Sequence, residues 1–135
     1  MQLAVIQRIL GILLALFSLT LLPPIFIAWW LGDSSFSAFL YAFCLIVFVG
    51  LLLWLPVKNI RKELRMRDGF VVVVLFWIGL GFTGSIPFLL SEYPQLSFND
   101  AVFESLSGLT TTGATVITGI DNLPLPILFY RQELQ

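Results

Sequence analysis

Histidine is absent from this 135-residue chain, and there is a single cysteine, Cys44. The first absence removes the commonest general base and metal ligand. The second excludes an intrachain disulfide, and Cys44 sits in an apolar stretch with no companion for metal or redox chemistry. Charge is scarce as well: 11% of residues are Asp, Glu, Lys or Arg, 59% are hydrophobic, and mean hydropathy is +0.98. A soluble domain of this size has too few charges there to cover so much apolar surface. No charged residue occurs from Ile9 to Gly32, from Ser34 to Val57, or from Gly69 to Ser91. Each gap exceeds the ~20 residues a helix needs to cross about 30 Å of hydrocarbon. The composition is that of an integral membrane protein.

The first apolar stretch does not read as a cleaved secretory signal. It is too long, its positive flank is only Arg8 and the amino terminus, and no small-x-small site precedes Trp29. Enzyme chemistry has no foothold either, because the chain shows no pattern for a nucleophile, a metal cluster or a phosphate-binding loop. Gly79-x-Gly81-x-x-Gly84 has the spacing of a dinucleotide fingerprint. It lies inside an apolar span, with no strand before it and no helix start after it.

The few charges are unevenly placed. Five of the seven basic residues (Lys58, Arg61, Lys62, Arg65 and Arg67) crowd the loop between the second and third stretches. The loop between the first and second carries only Asp33, and Glu92, Asp100, Glu104 and Asp121 follow the third. Excess Lys and Arg mark the cytoplasmic side. This predicts a cytoplasmic amino terminus, an outer first loop, an inner basic loop, and an outer start for the segment after Leu90. The basic loop also faces the side on which anionic lipid or a cytosolic partner is met.

Three spanning helices are expected, over Leu3–Leu31, Phe36–Val57 and Phe70–Leu90. Pro23 and Pro24 should bend the outer end of the first, and Trp29 and Trp30 sit where amphipathic rings favour the interface. Val71 to Val74 would suit a strand in water, but in lipid an unpaired strand leaves its backbone unsatisfied, so a helix is expected. Gly79, Gly81, Gly84 and Ser85 permit close approach of a neighbouring helix. Pro87 falls late enough to kink the outer end.

After Ser91 the pattern changes. Glu92-Tyr93-Pro94-Gln95 reads as a polar turn, and Ser97 to Asp100 as a capping box with Ser97 at the N-cap. A helix from Phe98 to Leu109 would be only ~18 Å long, too short to cross. It enters from outside and ends against Leu109-Thr-Thr-Thr-Gly-Ala-Thr115. Irregular backbone at that depth is tolerated only where protein or water surrounds it. A carboxyl-terminal helix end favours a cation through its dipole and free carbonyls. Gly113 can take φ values closed to its neighbours, and threonine hydroxyls add oxygen ligands or tie the loop down. Oxygen ligands without a carboxylate suit a monovalent cation better than calcium or magnesium. The bland alternative is an ordinary helix end and exit loop.

The run Ser-Leu-Ser-Gly-Leu-Thr-Thr-Thr-Gly-Ala-Thr (Ser105 to Thr115), after Phe103-Glu104 and before Phe129-Tyr130-Arg131-Gln132, resembles the first pore loop of Trk-type potassium uptake proteins, the TrkH/TrkG group. Val73-Leu75-Phe76-Trp77 and Pro87-Phe88 fit the helix preceding that loop. The resemblance implies four non-identical helix–loop–helix repeats around one pore, often after two extra helices. On that pattern residues 1–57 are the extra pair, 58–68 a basic cytoplasmic loop, and 69–135 the first repeat, incomplete at its second helix. The fold class is all-α, with three spanning helices, a re-entrant helix and a filter loop. Thr111, Thr112 and Gly113 match the potassium-lining positions, Ala114 continues the strand, and potassium is the transported ion with no organic cofactor. The resemblance further implies a TrkA-type cytosolic nucleotide-binding regulator, a homodimer of the complete subunit, and the bacterial inner membrane. The segment departs from the Thr-Val-Gly-Tyr-Gly pattern of potassium channels in having one glycine, which bears on sodium rejection.

A filter ring needs four loops and one is present, so the chain reads as the amino-terminal portion of a larger uptake subunit. A non-conducting small membrane protein acting in assembly or regulation is the alternative. Glu104, an ionisable group midway along the short helix, is either a brace behind the filter or a residue facing an outer vestibule. Asp121 is a candidate for concentrating cations at the mouth, Asp100 is explained by capping, and Arg131 has no assignable partner in the sequence.

Overall fold

The computed structural model describes residues 2–91, 96–118 and 122–135. The expected turn at 92–95 and the candidate Asp121 lie outside that set. Among the described residues the chain is helical. Three helices are long and apolar enough to cross a membrane, over Leu3–Leu31, Ser35–Val57 and Met66–Leu90.

The first span is two helices joined end to end, α1 (Leu3–Ser18) and α2 (Leu22–Leu31), with a tighter turn at Leu19–Leu21. Proline explains the break: Pro23 and Pro24 have no N–H to return to Leu19 and Thr20. The Leu22 amide bonds the Leu19 carbonyl instead, one residue short of the α pattern. The span stops at Gly32, whose φ of 65° is left-handed, and the Asp33 amide reaches back 3.0 Å to the Ala28 carbonyl. Asp33 then turns the chain, its Oδ1 accepting from the Ser35 amide at 2.9 Å, and α3 (Ser35–Trp54) begins at once.

The most extensive packing is α1 against α3. It depends on two glycines, Gly11 and Gly50, that no local pattern pairs. A Cβ on Gly11 would lie 2.7 Å from the Gly50 carbonyl, and one on Gly50 would lie 3.0 Å from the Gly11 carbonyl. The two backbones touch, as close packing in lipid allows. At the far end Gln7 Nε2 donates to the Leu53 carbonyl (3.0 Å) and the Arg8 guanidinium to the Ile60 carbonyl (2.6 Å).

Helix α4 (Met66–Leu90) starts four residues before the expected Phe70, inside the stretch read as loop. Arg67 and Asp68 look like loop residues by polarity, but Asp68 in the first turn complements the positive helix end. The boundary drawn between a loop at 58–68 and a repeat at 69 therefore cuts through a helix. Pro87 lies within α4, where the Ser91 amide still bonds the Pro87 carbonyl.

The short helix α5 (Phe98–Leu109) starts as expected, with the Ser97 hydroxyl accepting from the Asp100 amide at 3.3 Å. Only that half of the capping box forms among the described residues. Helix α5 packs on α4 through Gly81 and Gly84: a Cβ at Gly81 would meet Leu106, and one at Gly84 the Ser105 hydroxyl. Gly79 faces open space, so its smallness serves no contact here. The last helix, α6 (Leu125–Glu133), returns across the bundle. Its Tyr130 is wholly buried, with its ring centre 5.4 Å from Phe39 and 5.3 Å from Phe88 and its hydroxyl donating to the Gly84 carbonyl at 2.6 Å. Leu21, Ile46, Ala101 and Ile127 complete the core around it.

Candidate functional site

Downstream of α5 the backbone folds under the helix end before running on, as the strand of the expected filter loop, with neither helix nor sheet pairing among the described residues. The amide of Thr110 bonds the Leu106 carbonyl, that of Thr111 the Gly108 carbonyl, and those of Thr112 and Gly113 the Ser107 carbonyl, at 2.9 to 3.4 Å. These bonds correct one expectation. The carbonyls of Leu106, Ser107 and Gly108 are occupied, so the negative end of α5 resides in aligned peptide dipoles and not in bare oxygens at those residues.

Two residues in this turn have left-handed backbone, Gly113 at φ 76° and Thr111 at φ 56°. Gly113 was expected to need its freedom. A Cβ there would have its nearest neighbour, Gln135 Nε2, at 3.7 Å, so the obstacle to a side chain is backbone strain and not crowding. Thr111 is unforeseen, because a β-branched residue rarely adopts positive φ. Such a conformation costs of order 1–3 kcal/mol and persists only where the surroundings over-determine it. The surroundings here are the hydrogen bonds on either side of Thr111, with the Thr110 hydroxyl also bonding the Leu106 carbonyl and lying 2.8 Å from the Thr112 hydroxyl.

The strand beyond is held from behind by two side chains of α5. Ser107 donates its hydroxyl to the Ala114 carbonyl at 2.6 Å, which turns that carbonyl toward the helix. Glu104, 2% exposed, gathers three donors on Oε1: the Thr115 hydroxyl, the Val116 amide at 2.6 Å and the Ile117 amide at 3.3 Å. Its Oε2 faces Arg131 Nε of α6 at 3.3 Å, with the arginine side chain also largely buried. One carboxylate thus connects the short helix, the strand and the returning helix. A buried charge requires such partners, since leaving it unpaired is costly.

The site as a whole has a buried braced side and an open side. Thr110 to Val116 are exposed, and that row includes the four candidate residues Thr111, Thr112, Gly113 and Ala114. Of the sequence expectations, Glu104 emerges as a brace and not a vestibule residue. Arg131 acquires its partner, and Ser107 was missed. A partial signal for Arg131 did exist: Glu104 and Arg131 are opposite charges that each directly follow aromatic residues, Phe103 and Phe129-Tyr130. Ser107 had none, being one hydroxyl among many.

A family profile described as "TrkH: Cation transport protein" matches residues 35–135. The chain belongs to the TrkH family. Among its relatives, the Trk system potassium uptake protein TrkH of Halomonas elongata is 56% identical over 135 residues, covering all of this chain and 28% of that protein. The TrkH of Escherichia coli K12 is 48% identical over the same span, and its TrkG 38% identical over 130 residues. The crystal structure of the potassium transporter TrkH from Vibrio parahaemolyticus superposes with a TM-score of 0.93 at 51% identity, over 99% of this chain and 29% of that one. The helical fold is therefore that of the TrkH family. The chain spans less than a third of the length of the relatives it matches.

Proposed function

We propose that this chain is the amino-terminal part of a potassium-translocating subunit, and that Thr111, Thr112, Gly113 and Ala114 form one quarter of its filter. On this reading residues 1–57 are a peripheral helix pair, the basic stretch from residue 58 is a cytoplasmic connection that runs into α4 at Met66, and α4 opens the first helix–loop–helix repeat. Potassium is the cargo, taken up across the bacterial inner membrane, with a TrkA-type regulator and a second copy of the complete subunit as partners.

The observation that supports the filter most directly is the pair of left-handed residues flanking Thr112 on an exposed segment braced from behind. Backbone with positive φ at Thr111 and Gly113 but not at Thr112 can turn successive carbonyls toward one side, and a dehydrated cation requires such carbonyl ligands. Ala114 ends the row on its outer side: its carbonyl already accepts the Ser107 hydroxyl, which leaves Thr111, Thr112 and Gly113 to offer free carbonyls. The brace supplies the stiffness that lets oxygens hold their spacing when an ion leaves.

The test is ion uptake by potassium-depleted, transport-deficient cells expressing the complete reading frame. Wild type should take up rubidium in preference to sodium, and Gly113→Ser should lose much of that preference at matched membrane expression. Equal preference in the two would reduce residues 110–115 to a helix-ending loop.

A further inference from the structure

At the start of α4 the surface combines two features that seldom coincide. A groove of about 460 Å³ is lined by Leu64, Arg65, Met66, Gly69, Phe70 and Val73. Apart from Val72, which also lines it and is buried, its apolar members are open: Leu64 is 42%, Met66 83% and Phe70 70% exposed. Around it Lys58, Arg61, Lys62, Arg65 and Arg67 are all exposed, and among the described residues none of them pairs with a carboxylate. Two acids share the stretch: Asp68 is buried, and the exposed Glu63 offsets one of the five positive charges, which leaves the surface strongly basic.

We propose that this groove binds an anionic phospholipid, the phosphate held by Arg65, which lines the groove, with the exposed Arg67 two residues on adding to the field, and an acyl chain lying along α4. Charge complementarity points to an anion, and the wall points to a lipid. Phe70, Val73, Val74, Trp77 and Ile78 continue the exposed apolar face from the groove into the span. That face is about 12 Å long from Phe70 to Ile78 at the helical rise. An acidic protein surface would satisfy the arginines but leave that wall against nothing that matches it. An acyl chain satisfies both. Basic residues beside a spanning helix are the usual means of holding such headgroups. The proposal needs the three long helices to cross a bilayer; neither the direction of crossing nor the identity of the conducted ion enters it.

The test uses the complete subunit, purified in detergent and titrated with dioleoyl phosphatidylglycerol or dioleoyl phosphatidylcholine, bound lipid being counted by native mass spectrometry. Wild type should retain phosphatidylglycerol selectively. Arg65→Gln/Arg67→Gln should weaken that retention roughly 25-fold, from about fivefold per basic residue near a membrane surface. Phe70→Ser should weaken it for the two-chain lipid but not for glycerol 1-phosphate, which has no chain. Monodisperse elution and unchanged rubidium uptake show that each variant is folded. Equal retention of the two lipids by wild type overturns the proposal, as does undiminished phosphatidylglycerol in the arginine variant. If that variant instead loses only a soluble cytosolic partner, the surface docks protein and the lipid assignment is wrong.

Discussion

Removing the charge of Glu104 should unfasten three elements at once. The carboxylate is 2% exposed, accepts two backbone amides and a hydroxyl, and faces Arg131 at 3.3 Å. Glu104→Gln keeps an oxygen for the amides of Val116 and Ile117, so most of the loss is electrostatic. Breaking a buried pair by deleting one partner costs about 3–5 kcal/mol, because the survivor is left uncompensated. The single Nε contact is not a bidentate fork, which puts the expected cost near the lower end, about 3 kcal/mol. Arg131→Met should cost a similar amount. The double variant removes both charges and should fall short of the sum of the two by about 1–3 kcal/mol. Denaturant unfolding of the complete subunit in its four forms gives the cycle, and rubidium affinity provides a second readout, lowered in Glu104→Gln because Arg131 then stands unneutralised behind the strand. Costs that add to within about 0.5 kcal/mol would mean the two side chains are neighbours without coupling, and the brace would be refuted.

Gly113→Ser is expected to lower potassium-over-sodium preference by roughly one to two decades, since 1–3 kcal/mol of backbone strain is at stake and 1.4 kcal/mol is tenfold. Thr111→Gly, by contrast, should relieve strain, and the subunit should unfold no earlier than wild type. Gly84→Ala drives a methyl into the buried Ser105 hydroxyl and should destabilise by about 1–3 kcal/mol, whereas Gly79→Ala, with nothing within 4 Å, should be near neutral in the same unfolding assay. Neutralising Lys58, Arg61, Lys62, Arg65 and Arg67 together should scramble membrane orientation; an unchanged protease-cleavage pattern of that loop would dismiss the topological role.

The three spans were legible because their determinant is local: lengths of chain without charge admit one solution in lipid. The Ser97 cap and the shortness of α5 were legible for the same reason. What escaped was non-local or contrary to propensity. Met66 to Gly69 joined α4 although their polarity suggested loop, since a helix end tolerates an acid that a helix middle does not. Gly11 and Gly50 became partners only once α1 and α3 crossed. Glu104 and Arg131 are 27 residues apart in sequence and meet through the return of α6. Thr111 has a conformation its side chain disfavours, and no residue-type preference predicts that. The Ser107 bond to Ala114 depends on the turn between them, which the sequence marks only by its glycine.

The crossing of α1 and α3 has a mechanical consequence. Most helix pairs touch through side chains, and rotamer changes let them slide or roll by fractions of an ångström. At Gly11 and Gly50 there is no side chain to rearrange, and each backbone fills the notch of the other. Shear along this contact would force carbonyl against carbon, so the pair must separate before it can slip. The two helices therefore behave as one stiff strut, able to lean within the bilayer but not to shorten or telescope, and a change in membrane thickness would tilt them together.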